Sequence, residues 1–310
     1  MNNSFSKALK NNDLEMMKNV EKSDLHNHAT RGGNIKYIEK SKNTIIKRLD
    51  YKFNNLDEMQ DWYEKNIKIY FSEKKGYEER IKAAFEQAKE DGIKKLCMSF
   101  GYDEAGLYSD YNQWIKIIDE IYSKYKKDID FIPELAFYWG TESYTAEAIF
   151  DEVSSYNYFK SVDLYGNELS APAKIYKNLY KMANDKNFIL KAHVGEFGDA
   201  ESVKNTVQEL NLNQIQHGIN AVDSDEIMKF LKDRDIQLNI CPSSNIYLKR
   251  AESYKNHPIK KLYENGVKVT INTDDMIIFD NSVSQEYLNL YKNETLGIDE
   301  LNEIRLNGLK

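Results

Sequence analysis

Cysteine and proline are scarce in this chain, which has 2 cysteines and 4 prolines among 310 residues. Cys97 and Cys241 stand far apart, each in an apolar run. This separation excludes the paired CxxC spacing that is typical of thiolate metal sites. We therefore interpret both cysteines as buried free thiols in a protein of a reducing compartment.

The chain also lacks a long apolar run and a clustered excess of positive charge. No run approaches the roughly 20 apolar residues of a membrane span, and the N-terminus has no apolar signal-peptide core. The formal net charge is -7, which argues against duplex nucleic acid as the main partner because phosphate binding needs a clustered basic surface. Small anions remain compatible, since a local pocket can be positive. We expect a cytoplasmic protein that acts on small molecules, without a membrane or duplex partner.

Short apolar runs rich in Val, Ile, Phe and Tyr alternate with longer helical patterns along the whole chain. This alternation predicts an α/β fold with a buried parallel sheet. The predicted strands are 23–29, 95–100, 130–138, 161–166, 188–194, 214–218, 237–241 and 267–272. Eight such units predict a single (β/α)8 TIM-barrel domain over residues 1–310. A doubly wound open sheet is the alternative, but it would need a glycine-rich phosphate turn that Arg31-Gly32-Gly33 imitates poorly.

Two segments fall outside the eight units. Residues 34–75 are too long for a simple first loop and carry helical signals of their own. An insertion after the first strand lies on the catalytic face of a barrel, so we predict a helical lid there, with packing helices that have no gating role as the alternative. Residues 1–22 predict an amphipathic N-terminal helix that covers the barrel bottom or contacts a second subunit. The oligomeric state is not predicted.

Histidines and a carboxylate occur at the ends of several predicted strands. His26 and His28 are one residue apart on the first strand and so face the same side, the barrel interior. His193 ends the fifth strand and Asp274 follows the eighth. Each histidine alone would more often be a core residue. Together, three imidazoles and one carboxylate suit one divalent ion such as zinc and leave a position for water.

Other polar residues could complete a hydrolytic site. Glu196, three residues after His193, could take a proton from water and pass it to a substrate. Its alternative role is that of an acid at a helix N-terminus. His217 ends the sixth strand and could stabilise an attacking hydroxide, while Asp275 could hydrogen-bond a heterocycle nitrogen. Gly166 offers a backbone N–H where a side chain would obstruct a flat ring.

The order of these motifs resembles that of the adenosine deaminase family, over nearly the whole chain. The matching motifs are HxH at 26–28, a glycine at 166, HxGE at 193–196, HG at 217–218, CPSSN at 241–245 and TDD at 273–275. The resemblance implies a barrel that holds one divalent metal ion, usually zinc. The ligands it implies are His26, His28, His193 and Asp274.

The resemblance also implies a reaction, the hydrolytic deamination of an adenine nucleoside or 5′-monophosphate to its inosine counterpart and ammonia, in nucleotide metabolism. A metal-bound hydroxide would attack C6 of the purine. Glu196 would shuttle the proton to N1 and His217 would assist the hydroxide, while Asp274 holds the metal. Gly166 would contact N3, and Asp275 would contact N7.

The substrate end departs from the family pattern. Adenosine-specific members usually carry an aspartate two residues after the second histidine, where this chain has Thr30 followed by Arg31. Losing a carboxylate and gaining an arginine favours an anion, so we predict that both residues bind substrate, with AMP or dAMP favoured. Plain nucleosides are the alternative. Free adenine, an N6-substituted adenine, a non-purine amidohydrolase substrate, and a catalytically silent purine-binding subunit also remain open.

The two-residue alternation of strands gives one further prediction about the barrel interior. Asp24 and Lys191 each precede a predicted metal ligand by two residues, so both should face inward. We predict that they form a buried ion pair below the metal, with Glu134 as a possible third member.

Overall fold

The computed structural model describes residues 3–310. In that range eight parallel strands follow one another in chain order around one sheet. They are β1 (Lys22–His28), β2 (Ile93–Gly101), β3 (Asp130–Tyr138), β4 (Ser161–Tyr165), β5 (Ile189–Val194), β6 (Gln214–His217), β7 (Gln237–Ile240) and β8 (Lys268–Ile271). Each predicted strand corresponds to one of these, with ends that differ by at most two residues.

The first and last strands meet and bring the sheet to a nearly closed barrel. Asn27 and Asp274 form a parallel bridge, and the Asp274 N–H donates to the His26 carbonyl at 2.9 Å. The Leu25 N–H donates to the Asn272 side chain at 2.7 Å. The predicted (β/α)8 barrel is confirmed, and the doubly wound sheet is wrong because an open sheet leaves its two edge strands apart.

Helices surround the barrel, and several begin at a side chain that caps them. Asp110, Asp199, Ser224 and Ser282 each accept a hydrogen bond from a backbone N–H of the first helical turn. The helices are α1 (Asn3–Asn11), α2 (Leu14–Lys18), α3 (Ile35–Lys42), α4 (Leu56–Asn66), α5 (Lys74–Glu90), α6 (Tyr111–Tyr122), α7 (Ser143–Ser154), α8 (Lys177–Asp185), α9 (Ala200–Leu210), α10 (Asp225–Asp233), α11 (Pro242–Tyr247), α12 (Ile259–Glu264), α13 (Met276–Phe279), α14 (Val283–Lys292) and α15 (Ile298–Leu309). Across residues 3–310, none is long and apolar enough to cross a membrane.

The N-terminal segment contains two helices where the sequence predicts one. Asn12 adopts the left-handed conformation, with φ of 50°, and the Asp13 side chain caps α2 by accepting from Met16 N at 2.9 Å. A polar turn therefore divides α1 from α2. The apolar face still packs inward, since Phe5 and Met17 are buried. The Lys22 N–H bonds to Gly92 O, so this segment enters the barrel at the end where β1 and β2 begin.

The predicted lid segment, 34–75, forms α3, α4 and a short 3-10 helix at Lys68–Tyr70. Its apolar side chains, among them Ile38, Phe53 and Trp62, form a cluster separate from the main core, and Ile277 of α13 also belongs to this cluster. Residues of α4 line the cleft at the barrel mouth, so this segment lies over that end of the barrel. A gating motion of the segment remains a prediction.

The predicted ion pair between Asp24 and Lys191 is wrong, whereas Glu134, its possible third member, does pair with Lys191. Lys191 Nζ instead lies 3.0 Å from the Glu134 carboxylate, and both residues are 1% exposed. Asp24 accepts hydrogen bonds from Asn27 and Thr273. The register of β1 against β2 shifts between Asp24 and Asn27. Side chains therefore do not alternate regularly between the two faces of β1 there, and Asp24 does not lie on the same face as His26.

Candidate active site

Four side chains converge at the carboxyl ends of the strands. His26 Nε2 lies 3.1 Å from His193 Nε2, and the His28 Nε2 atom lies 3.1 Å from Asp274 Oδ1. Each of the four side chains, His26, His28, His193 and Asp274, offers one ligand atom, and these four atoms all lie within 4.8 Å of one another. The structure thus brings together the predicted metal ligands, which come from β1, β5 and the turn after β8.

The histidines are oriented so that their Nε2 atoms are free to coordinate a cation. His26 Nδ1 lies 3.2 Å from the Asn239 carbonyl, and His28 Nδ1 lies 2.7 Å from Ser99 Oγ. The third histidine, His193, has its Nδ1 atom 3.0 Å from a carboxylate oxygen of Asp163. A partner that accepts from Nδ1–H fixes the tautomer with its lone pair on Nε2 and makes the imidazole a better ligand. The donor set therefore fits one divalent ion such as zinc.

The carboxylate ligand is also held in place. The Ser244 hydroxyl donates to Asp274 Oδ2 at 2.6 Å. Burial alone would raise the pKa of Asp274, but the neighbouring His26 and His28 bring that pKa well below its usual value. Asp274 is therefore ionised, as a metal ligand must be.

A second cluster, formed by His26, His217 and Cys241, could also be considered for a metal. Burial raises the pKa of the Cys241 thiol well above its usual value. Because the thiolate rather than the thiol is the ligand, this cluster fits a cation less well than the His/Asp set. Cys97 and Cys241 are both buried and free, which agrees with the sequence interpretation.

Glu196 and His217 lie beside the four ligands. Glu196 Oε2 is 3.6 Å from His217 Nε2, while its other oxygen is buried without a hydrogen-bond partner within residues 3–310. Burial raises the pKa of Glu196 well above its usual value, and the charge of Asp274 adds to the shift. A buried carboxyl with an unpaired oxygen and a raised pKa is suited to carry a proton between water and a substrate.

His217 is held as a neutral imidazole. Burial lowers the pKa of His217 to about 3. Asn245 Nδ2 lies 3.1 Å from His217 Nδ1 and donates to it, which leaves the ring proton on Nε2. That nitrogen lies 3.8 Å from Asp274 Oδ2, so it points toward the metal ligands and can donate a hydrogen bond there.

A cavity of about 330 Å³ opens above these residues. This volume lies within the usual range for small-molecule sites, roughly 300–1,000 Å³. Its walls include Leu56, Met59 and Leu248, with Gly166 on the β4 side and Asp275 on the β8 side. Gly166 adopts φ of 85°, a conformation that strains a residue with a side chain. A cleft with apolar walls and several convergent polar groups is suited to a flat heterocycle.

Arg31 lines this cavity, but its guanidinium is already paired. Its Nη1 donates to Asp275 Oδ2 at 2.9 Å and its Nη2 donates to Gln60 Oε1 at 2.6 Å. The guanidinium also lies over the Tyr63 ring, 4.3 Å from its centroid. The residue predicted to bind a phosphate is thus tied to the residue predicted to contact the purine ring.

A side chamber of about 210 Å³ adjoins the cavity and shares Arg31 and His28 with it. Thr30 lies in this chamber, where its hydroxyl donates to Glu104 at 3.2 Å. Burial raises the pKa of Glu104 to about 7, although the charge of Arg80 opposes the shift. A carboxylate from the loop after β2 therefore stands next to the position where the family pattern has an aspartate.

Several residues of the site were missed by sequence reasoning. Asp163, Ser99 and Asn245 orient histidines, and Glu168 bonds the loop of Glu196. Asn245 falls inside the recognised motif at 241–245, and Asp163 lies three residues before Gly166, so proximity to a motif was the available signal. Ser99 and Glu168 carry no local signal, because their roles depend on contacts between different strands.

The chain is similar in sequence to known proteins. The model of the family described as adenosine deaminase matches residues 154–310. A putative adenosine/adenine deaminase of Treponema pallidum is 27% identical over 281 residues, which cover 89% of this chain and 93% of that protein.

Two solved structures share the fold. The adenine deaminase of Arthrobacter aurescens superposes with a TM-score of 0.81 at 19% identity, over 93% of this chain and 92% of that one. The N6-methyl-AMP deaminase of Arabidopsis thaliana gives a TM-score of 0.77 at 18% identity, over 94% and 91% of the two chains.

Proposed function

This chain belongs to the adenosine deaminase family, and we propose that it hydrolyses the 6-amino group of an adenine nucleoside to give the 6-oxopurine nucleoside and ammonia. The observation that carries the proposal is the convergence of four metal-ligand side chains with Glu196 and His217 at one cavity. Hydrolytic deamination of a purine requires an activated water, a proton carrier and groups that hold the ring.

The four predicted ligands would hold one divalent ion, for which zinc is our proposal. When bound, that ion would make a water molecule acidic enough to act as a nucleophile at neutral pH. Glu196 would take the proton of that water and deliver it to the ring nitrogen N1. His217 would donate from Nε2 to the oxygen that becomes bonded to C6, because its neutral imidazole keeps a proton there. The bond between C6 and the amino nitrogen would then break, and the amino group would leave as ammonia with the proton of that oxygen.

The ring would lie between Gly166 and Asp275. The backbone N–H after β4 would donate to N3, since Gly166 presents no side chain to the cavity. Asp275 would face N7, and its Oδ1 atom, which is buried without a partner within residues 3–310, would have to carry a proton to donate to N7, because N7 only accepts. The Arg31 guanidinium, bonded to Oδ2 of the same carboxylate, would set the orientation of that carboxylate toward the ring.

The nucleoside is favoured over its 5′-monophosphate by the charges around the side chamber. Arg31 is paired with Asp275, and Lys68 is paired with Glu64 at 2.8 Å. The chamber also contains Glu104, whose pKa of about 7 leaves it partly ionised at neutral pH. Its charged form would repel a phosphate and accept from a sugar hydroxyl. Uncharged pentose hydroxyls therefore suit this chamber better than an anion does.

The monophosphate predicted from the sequence is the second candidate. Arg80 lines the side chamber, is 5% exposed, and its Nε–H has no hydrogen-bond partner within residues 3–310. A buried arginine with a free donor favours an anionic ligand. The Arabidopsis protein that shares the fold is named as an N6-methyl-AMP deaminase. The Arthrobacter protein is named as an adenine deaminase.

The proposal is tested by a deamination panel with zinc-loaded protein. The substrates are adenosine, deoxyadenosine, AMP, dAMP, adenine and N6-methyladenosine, with ammonia release as the readout. We expect adenosine or deoxyadenosine to give the highest kcat/KM, and Glu196→Gln to lower kcat by roughly 10²–10⁴-fold at unchanged metal content. A preference for the monophosphates would favour the second candidate. If the metal-loaded protein turned over none of the six, the proposal would be refuted.

A further inference from the structure

Glu168, in the loop after β4, bonds the backbone of the loop that carries Glu196. Its Oε2 atom accepts from Gly195 N at 2.7 Å. Its Oε1 atom accepts from three N–H groups, those of Glu196 at 2.9 Å, Phe197 at 2.6 Å and Gly198 at 3.0 Å. Hydrogen bonds to an ionised carboxylate are roughly twice as strong as neutral ones. One side chain therefore binds four consecutive backbone donors.

Two glycines allow these four N–H groups to turn toward one carboxylate. Gly195 adopts φ of 72°, and a Cβ there would lie 2.3 Å from the Val203 side chain. A Cβ at Gly198 would lie 2.8 Å from Glu168 Oε2 itself. Consecutive N–H groups that point into one concavity form an anion-binding nest, and such a backbone needs conformations that glycine adopts readily.

The carbonyl groups of the same loop are held from its other side by Asn220. The Asn220 N–H donates to Gly195 O at 2.9 Å, and its side-chain amide donates to Glu196 O at 3.2 Å and Gly198 O at 2.7 Å. With its donors bound by Glu168 and its acceptors by Asn220, the loop backbone has little freedom to move. The Glu196 side chain is the part that remains directed into the cavity.

We propose that Glu168 is a positioning residue for the deamination, which fixes the Glu196 carboxyl at the height of the substrate ring. The inference rests on the proposed function, because only that function gives Glu196 a proton to carry. Within residues 3–310 Glu168 is not among the residues that line the cavity, so it acts through the loop. A misplacement of about 1 Å in a reacting group can lower a rate by about 10²-fold.

The test compares Glu168→Gln in two backgrounds, the natural chain and Glu196→Gln. Glutamine keeps the shape of the side chain but replaces one accepting oxygen with an amide group that faces backbone donors. In the natural chain, we expect kcat to fall about 10–100-fold while KM changes less than about threefold. In the Glu196→Gln background, the further fall should be under about twofold, because no carboxyl is left to position.

A merely structural role would lower kcat by the same factor in both backgrounds, and that result would overturn the proposal. Glu286→Gln is the matched control, since Glu286 is also a buried carboxylate that accepts a backbone N–H, from Ser243 at 2.9 Å. The factor by which Glu286→Gln changes kcat, whatever its size, should be equal in both backgrounds. If Glu168→Gln does not fold, Glu168→Asp, which keeps the charge on a shorter side chain, gives the same comparison.

The failure of this inference is distinguishable from the failure of the proposed function. If Glu196→Gln is as active as the natural chain, the proton role of Glu196 and hence the proposed mechanism are wrong. If Glu196→Gln is impaired but the effect of Glu168→Gln is equal in both backgrounds, only the positioning role is wrong.

Discussion

Removing the amine of the buried pair between Lys191 and Glu134 should destabilise the barrel strongly. Lys191 Nζ is 3.0 Å from the Glu134 carboxylate and donates to the Leu25 carbonyl at 3.0 Å. Ser161 also donates to the same carboxylate. In Lys191→Met the carboxylate keeps its hydroxyl donor but loses its only counter-charge within 4.0 Å in residues 3–310, where it is 1% exposed.

The magnitude follows from that burial. Breaking a buried pair by removing one partner costs about 3–5 kcal/mol of unfolding free energy. An unfolding entropy of about 2.1 cal/mol/K per residue over 310 residues converts this to a loss of roughly 5–8 °C in Tm. The double variant Lys191→Met with Glu134→Leu should recover part of the loss, because no unpaired charge then remains in the barrel.

Calorimetry and urea unfolding of Lys191→Met, Glu134→Leu and the double variant at pH 7 give the measurement. Lys116→Met is the control, since Lys116 is exposed on α6 and should change the free energy of unfolding by less than about 0.5 kcal/mol. A loss of unfolding free energy below about 1 kcal/mol for Lys191→Met would refute this reasoning. So would a loss in the double variant that exceeds the sum of the losses in the two single variants.

Three further predictions concern the metal, the substrate and pH. Asp163→Asn should weaken zinc binding by about 10–100-fold, because the carboxylate that orients His193 is lost. Competition with a chelator measures the zinc affinity. Equal affinity in Asp163→Asn and in the exposed control Asp151→Asn would contradict this prediction. Arg31→Ala should raise KM for adenosine and AMP by a similar factor, because it frees Asp275, whereas a selective loss of AMP turnover would instead show a phosphate contact. Burial raises the pKa of Glu286 to about 7, above its value in an unfolded chain, so its contribution to stability is present at low pH and is lost as pH rises from about 4.5 to 7. The urea midpoint should fall over that range less steeply in Glu286→Gln than in the natural chain; parallel curves would show that Glu286 is not the group responsible.

Much of the fold could be predicted from the sequence because strand and helix signals are local. Alternation of apolar runs with amphipathic segments needs no knowledge of distant contacts, and a strand that ends at His193 or His217 places that histidine at the barrel mouth. The same locality explains the error at the N-terminus. The apolar spacing of Phe5, Leu9 and Met17 suits one helix, but Asn12 and Asp13 favour a turn and a cap, and they divide it.

The sequence by itself determined the barrel, and it predicted the metal ligands and the roles of Glu196 and His217, since each of these predictions rests on a local pattern at a strand end. Only the tertiary structure decided which partners these and other charged residues meet. Lys191 pairs with Glu134 and not with Asp24, next to which the register of β1 shifts. Arg31 pairs with Asp275 because the loop after β1 meets the turn after β8. Glu168 reaches the loop of Glu196 because β4 and β5 are neighbours. Such pairings depend on register and on loop geometry across separate strands, which no local pattern of residues encodes.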